Sequence, residues 1–438
     1  MKISVIGCGY LGAVHAAAMA ELGHDVIAID TNKARIEALQ RGVAPFHEPN
    51  FENLLKRNYS RLTFTTDISK IRESRVHFIA VGTPQAADSS ADMTFIYGAF
   101  ENLIPYLSGG DLVVGKSTVP VGTANQLSAR IAELEAHLIW NPEFLREGFA
   151  VEDTLSPDRL VYGVPEGIDG EEASRILDEV YESILERGCP RLIMNSSTAE
   201  LVKVAANSFL ATKISFINAM AEIAEVTGAD VTQLADAIGY DSRIGRKFLN
   251  AGIGFGGGCL PKDIRAFMVR ADQLGVGEAL TFLKSIESIN LRRREQVTRL
   301  LKEELGQIKG KKIAIWGIAF KPNSDDIRDS PALSIAHSLA AHGAIVVSAD
   351  PMAWKASTEQ IPGDADIGFH SVIQDHITAV EGADALVVAT EWDIFINEDP
   401  NRVGPLMKSK LVIDGRNCLD SLVWKSAGFR IRGFGRLY

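Results

Sequence analysis

Ile3-Ser4-Val5-Ile6-Gly7-Cys8-Gly9-Tyr10-Leu11-Gly12 opens the chain with a short β-type run, three glycines spaced Gly-x-Gly-x-x-Gly, and the start of a helical stretch that continues to Leu22. In that setting the first glycine allows a tight turn and the second lets backbone approach a pyrophosphate. The third lets the helix pack on the strand, with the phosphates at the helix N-terminus. A second apolar run, Val26 to Ile29, ends in Asp30, where a carboxylate can accept from ribose hydroxyls and would repel a 2′-phosphate. NAD is therefore the expected cofactor, with Lys33 and Arg35 leaving open a phosphate-accommodating role.

Outward from this turn, apolar runs recur at Val76 to Val81, Leu112 to Val114 and Leu138 to Trp140, alternating with helical segments. Such alternation implies a parallel, doubly wound sheet. Val81-Gly82-Thr83-Pro84 and Ser117-Thr118-Val119-Pro120 fall at the strand ends where ligands of such folds bind, or are ordinary turns. Ser197-Thr198-Ala199-Glu200 reads as a capping box opening one long helix that stops at Gly228, and helical pattern resumes to about Leu305 around a glycine-rich loop, Gly252 to Gly258. From Lys311 the alternation restarts with Ile313 to Trp316, Ile345 to Ser348, Ala385 to Ala389 and Leu411 to Ile413. The turn Gly317-Ile318-Ala319-Phe320 lacks the full glycine fingerprint, so this second Rossmann-like domain is expected to bind something other than the dinucleotide, or to be an inert duplicate.

The net charge of -11 argues against bulk electrostatic binding to nucleic acid or to an anionic membrane, and an anionic substrate needs local basic residues. The four cysteines, Cys8, Cys189, Cys259 and Cys418, form no Cys-x-x-Cys pair, and no His-x-x-x-His pair occurs, so neither a disulfide framework nor a metal centre is expected. With no apolar run of signal-peptide or bilayer length, the reading is a soluble, cytoplasmic protein.

Several groups carry possible chemistry. Lys203 and Asn207, four residues apart among apolar neighbours, share one helical face and can donate to an oxygen that gains negative charge; the alternative is a solvated helix face. Cys259 follows Gly254, Gly256, Gly257 and Gly258 and precedes Lys262 and Asp263, a setting that favours a nucleophilic thiolate with a base close by, although a cysteine is also commonly a small buried hydrophobe. Asn141-Pro142-Glu143-Phe144-Leu145-Arg146-Glu147 offers two carboxylates for proton transfer or for helix capping. Lys321, Arg328, Arg243, Arg246 and Arg416 could hold a diphosphate, or are ordinary solvated cations. The run Arg292-Arg293-Arg294 reads as solvent-facing.

Together these motifs resemble the nucleotide-sugar 6-dehydrogenases, and their UDP-glucose branch in particular. The resemblance rests on Gly7 to Gly12, Gly82-Thr83-Pro84, Ser117 to Thr123, Asn141 to Gly148, Ser156-Pro157-Asp158-Arg159, Glu200 to Asn218, Gly254 to Asp263, Phe320 to Pro331 and Asp414-Gly415-Arg416. It implies an α/β fold of two Rossmann-like doubly wound domains joined by a long central helix and a helical dimerisation region. The implied domains are 1–196 for NAD, 197–305 for dimerisation with the cysteine loop, and 306–438 for the UDP-sugar. It further implies a homodimer and a four-electron, two-NAD oxidation of UDP-glucose through a thiohemiacetal and a thioester on Cys259. Lys203 and Asn207 match the oxyanion donors, Asp263 a group for proton transfer and water, Glu143 a base for hydrolysis and Thr118 a water-positioning group.

By the same resemblance, Gly7, Gly9, Tyr10, Leu11, Gly12, Asp30, Arg35, Thr83, Thr118, Glu147, Lys262 and Arg328 would hold the cofactor. Glu143, Phe144, Leu145, Arg146, Glu147, Lys203, Asn207, Phe248, Leu249, Asn250, Ala251, Gly252, Gly256, Lys321 and Arg416 would hold the substrate, with Arg243 reaching in from the partner subunit. Leu11 stands where many members have Val, and Asn250 where animal members have Lys. GDP-mannose dehydrogenases share the Cys-Leu-Pro-Lys-Asp run. A two-electron β-hydroxyacid dehydrogenase would need neither Cys259 nor the second α/β domain, and a non-catalytic nucleotide-sugar sensor would not need the full polar set.

Overall fold

The computed structural model describes residues 1–355 and 370–436, which separate into two compact units: 1–206 with 265–277, and 207–264 with 278–438. In the first unit, β1 (Lys2–Ile6), β2 (Asp25–Ile29), β3 (Leu62–Thr65), β4 (Val76–Ile79), β5 (Leu112–Gly115), β6 (His137–Trp140), β7 (Leu160–Val164) and β8 (Arg191–Asn195) form one sheet in the order 3-2-1-4-5-6-7-8. The sequence reading of a parallel sheet holds through β6. There β7 joins antiparallel through Trp140 and Gly163 alone, and β8 is parallel to β7. A Cβ on Gly115 would meet the Trp140 ring at 2.2 Å, so this large indole lies across its neighbouring strand. Side chains alternate between two apolar layers: Leu112 and Val114 face one and Val113 the other, so both sheet faces are covered.

The second unit carries β9 (Lys312–Trp316), β10 (Ile345–Ala349), β11 (His370–Ile373), β12 (Ala385–Val388), β13 (Leu411–Asp414) and β14 (Arg430–Arg432), all parallel in the order 11-10-9-12-13-14. This repeats the spatial order of the first six strands of the chain, the Rossmann order. Two apolar layers again flank it, with Ala314 and Trp316 in one and Ile313 and Ile315 in the other.

A 32-residue helix, Ser196–Thr227, leaves β8 and continues from the first unit into the second. Its N-terminus corrects the capping-box reading: Asn195 Oδ1 accepts from the Thr198 amide, while Glu200 turns away to accept from the amides of Gly122 and Ala124. Within the second unit, Ile217, Ala221 and Ala224 of the long helix pack with Val231, Ala235, Leu249 and Ala251.

The arginine run is likewise not a solvent face. It lies on the helix Thr281–Leu305, where Arg292 is half-exposed and paired with Glu222, but Arg293 is 0% and Arg294 7% exposed. Arg293 donates to Glu225, Gln296 and the Gly252 carbonyl and stacks 4.7 Å from the Phe434 ring centroid. Arg294 donates to Asp329, Ser334 and the Phe255 carbonyl. Three successive residues on a helix sweep about 200° of its surface, so a run of like charges cannot all face one way. Removing a buried cation strands its carboxylate partners. Arg293→Ala should therefore cost about 3–5 kcal/mol in denaturant unfolding followed by a probe of the second unit, and a cost within about 0.5 kcal/mol would mean that Glu225 is satisfied without it.

Candidate active site

In the first unit, Gly7 turns with φ +95°, and a Cβ on Gly12 would lie 1.8 Å from the Gly7 carbonyl oxygen, so only glycine lets the helix Tyr10–Glu21 start against β1. A Cβ on Gly9 would meet nothing within 4 Å, which leaves open space beside the helix N-terminus where a pyrophosphate fits. Asp30, 9% exposed, accepts from the Cys8 amide at 2.7 Å, the Asn32 amide at 2.8 Å and the Arg35 guanidinium at 2.9 Å. Arg35 is thereby tied to the carboxylate, while Lys33 points to Glu37 on the exposed helix face.

The Tyr10 hydroxyl is taken up by Glu48, to which it donates. Burial, then this bond to Glu48, pushes the phenol well above its ordinary range. Glu48, 6% exposed, also accepts from the Gly148 amide at 2.7 Å and from Val151. It joins the dinucleotide turn to the loop that carries Glu143 and Glu147. Sequence reading missed Glu48, since its partners lie 38 and 100 residues away. The loops after β4 and β5 are joined by Thr83 Oγ1 donating to the Thr118 carbonyl at 2.9 Å.

Glu143 accepts from the Lys203 ammonium at 3.1 Å and from the Leu145 amide at 2.6 Å, and both charged side chains are largely buried. Phe144 lies between cations, with Arg159 4.0 Å and Lys203 5.6 Å from its ring centroid. Arg146 is held by a two-pronged pair with Asp153. Glu147 is buried, and Leu145 packs on the core.

In the second unit, Cys259 is exposed immediately ahead of the helix Leu260–Gln273, a position where the helix dipole favours an anion. One turn in, Asp263 is 2% exposed and accepts from Asn207 Nδ2 at 2.7 Å and from the Lys262 ammonium at 2.6 Å. Lys203 and Asn207 are 5% and 7% exposed, so their helix face is buried.

The glycine-rich loop runs against backbone: a Cβ on Gly256 would lie 2.2 Å from the Asp329 carbonyl oxygen. Asn290, unremarked in the sequence, pairs both amide atoms with the Phe255 backbone at 2.7 and 3.0 Å. Arg416 donates to the carbonyls of Gly254, Ala389 and Phe320, so it ties this loop to the ends of β9 and β12. Gly252 is fixed by its amide on Asn218, Asn250 accepts from Arg246, Leu249 and Ala251 are buried, and Phe248 adopts φ +66°. Lys321 lies 5.3 Å from the Phe320 ring centroid, and Arg328 is paired with Asp326. Arg243 is apart from these groups, 87% exposed and folded back on Asp241.

Three family models match the chain in series: those of the UDP-glucose/GDP-mannose dehydrogenase family for the NAD binding domain at residues 1–185, the central domain at 197–292 and the UDP binding domain at 314–421. A UDP-glucose 6-dehydrogenase of Rhizobium meliloti is 40% identical over all of both chains, and one of Pseudomonas aeruginosa is 38% identical over all of this chain and 98% of its own. The solved structure of a UDP-glucose dehydrogenase from Pyrobaculum islandicum is similar with a TM-score of 0.88 at 36% identity, covering 100% of this chain and 98% of that one. The chain belongs to the UDP-glucose/GDP-mannose dehydrogenase family and is an NAD-dependent oxidoreductase.

Proposed function

We propose that this dehydrogenase oxidises C6 of UDP-glucose to the carboxylate of UDP-glucuronate with Cys259 as the covalent centre. The observation that carries the reading is the exposed Cys259 at the head of a helix, one turn from an Asp263 held by Asn207 and Lys262. UDP-glucose is preferred to GDP-mannose because full-length relatives at 38–40% identity are UDP-glucose 6-dehydrogenases and the third matched domain is a UDP binding domain.

NAD, when bound, supplies the hydride acceptor for two successive oxidations, so that one alcohol and one water yield one carboxylate, two NADH and three protons. Lys203 and Asn207 donate to the C6 oxygen as it gains charge. The Cys259 thiolate adds to the aldehyde carbon, which forms the S–C bond of a thiohemiacetal, and loss of the second hydride from C6 leaves a thioester. Asp263 and Glu143 take protons as water, held by Thr118, attacks the acyl carbon; the S–C bond then breaks and the thiolate is restored. Residues 1–196 would serve NAD, 197–305 the dimer and thiol, and 306–438 the UDP-sugar. Substrate would be held by Phe144 to Glu147, Lys203, Asn207, Phe248 to Gly252, Gly256, Lys321 and Arg416, with Arg243 supplied by a second copy.

The dimer is proposed from the long helix, on which Phe209, Phe216 and Ile223 recur every seven residues at 65%, 46% and 53% exposure, with Val226 at 82%. An apolar stripe of this kind on a water-facing helix is a contact surface.

NADH released with limiting UDP-glucose should reach two per sugar, and Cys259→Ser should stop at one or release none. One per sugar in the unaltered chain would reduce the reaction to a simple alcohol oxidation, whereas turnover of GDP-mannose alone would keep the chemistry and replace the substrate. Phe216→Glu should convert a dimer to a monomer in light scattering; a dimer that persists would place the contact elsewhere.

A further inference from the structure

Lys116 follows β5 directly and is 7% exposed. Its ammonium donates to Asn141 Oδ1 at 2.9 Å and to the Tyr181 hydroxyl at 3.5 Å, both neutral oxygens, and it makes no ion pair among the described residues. Tyr181 and Asn141 are satisfied without it: the hydroxyl donates to Asn141 Oδ1 at 2.9 Å, and Asn141 Nδ2 donates to the Val161 carbonyl at 2.9 Å. A buried ammonium among neutral oxygens costs stability that an apolar side chain of equal length would not.

We propose that Lys116 is a positioning residue for Glu143, Lys203 and Thr118. Placed directly after β5 and two residues before Thr118, it holds Asn141, two residues before Glu143, and its charge draws on the Glu143 carboxylate and opposes the Lys203 ammonium. The inference rests on the roles proposed above for those three residues. Burial pulls the Lys116 amine down to about 8, with Glu143 raising it and Lys203 lowering it further, so the three groups are electrically coupled. The other titratable groups facing it are Tyr181, driven well above its ordinary range by burial, and His15, fully buried and held neutral by burial first and by the Lys116 charge second.

The folded amine loses its proton near pH 8 and the unfolded amine near 10.5, so the unfolded chain binds more protons between these values and stability rises with pH there. Below that window the penalty is present in full.

Lys116→Met should accordingly melt at or above the unaltered chain at pH 7, and the gap should close as pH rises from about 8 to 10.5. At saturating substrates its kcat should fall about tenfold or more, with the KM for UDP-glucose and the Kd for NAD within about threefold. Its pH–rate profile should lose the inflection near pH 8, and Lys116→Arg should recover part of kcat without restoring that inflection. A stabilised variant with impaired turnover is the outcome expected of a functional cation. Failure of Lys116→Met to fold, a melting temperature well below that of the unaltered chain, or a kcat within about twofold with an unchanged pH profile each overturns the inference. One NADH per sugar in the unaltered chain would instead overturn the thioester reading, and the melting comparison would still decide whether the cation is a cost to the fold.

Discussion

A single carboxylate after the second strand decides what each sheet can hold. In the first sheet Asp30 takes one amide of the glycine turn, Cys8, and shares its remaining capacity with Asn32 and Arg35 at the protein surface. In the second sheet Asp350, 0% exposed, takes the amides of Ile318, Ala319, Met352 and Ala353 and the Trp392 indole N–H. Five donors exhaust a carboxylate, which offers about four lone-pair sites. The strand order is shared, yet the second turn is closed by the protein itself: its Ile318 and Ala319 amides are spent on Asp350, which also takes the Trp392 indole N–H. Duplication of the fold thus supplies two scaffolds, of which only the first retains the features of a dinucleotide site.

The same demand, that buried backbone groups find partners, explains the helix Thr281–Leu305. The stretch Gly252 to Gly256 has neither helix nor strand to satisfy it. Asn218, Asn290, Arg293, Arg294 and Arg416 supply the missing donors and acceptors in turn. Ile253 and Phe255 pack inward, but the loop's backbone groups have no ladder of their own, so their partners must come from outside. Charged side chains perform this because one guanidinium can reach several carbonyls from a fixed plane.

What the sequence revealed follows from range. The apolar runs of both sheets, the glycine turn with Asp30 and the long helix are encoded within a few residues of one another, and each was legible. Glu200 fits the local capping pattern but caps a helix about eighty residues earlier, so a one-dimensional motif assigned it the wrong partner. Arg293 and Arg294 were misread because a charge run signals water unless the partners across the helix are known. Glu48, Lys116 and Asn290 gave no signal at all: an isolated Glu, Lys or Asn acquires meaning only from the strand end or the loop against which it is folded. The pair Lys203 and Asn207 was legible as one face, whereas their partners Glu143 and Asp263 were recognisable only as nearby acids.

These polar groups gather at one kind of place. Asp30, Lys116 and Asn141 follow the carboxyl ends of β2, β5 and β6; Asp350 and Thr390 follow those of β10 and β12, and Asp414 ends β13, all of them buried. Along the strands themselves the neighbours are almost wholly apolar, and an unpaired charge there would have nothing to bond with. At a carboxyl end the chain leaves the ladder, and the loop that follows offers unpaired amides and carbonyls. A carboxylate, an amide or an ammonium can be buried there at tolerable cost because the loop needs the same hydrogen bonds that the side chain needs. Such a rim is therefore where parallel sheets can hold polar chemistry out of bulk water, and the price is that every member of the network must be satisfied. Asp350 meets that condition completely, while Lys116 meets it only with neutral oxygens and stays electrically coupled to Glu143 and Lys203.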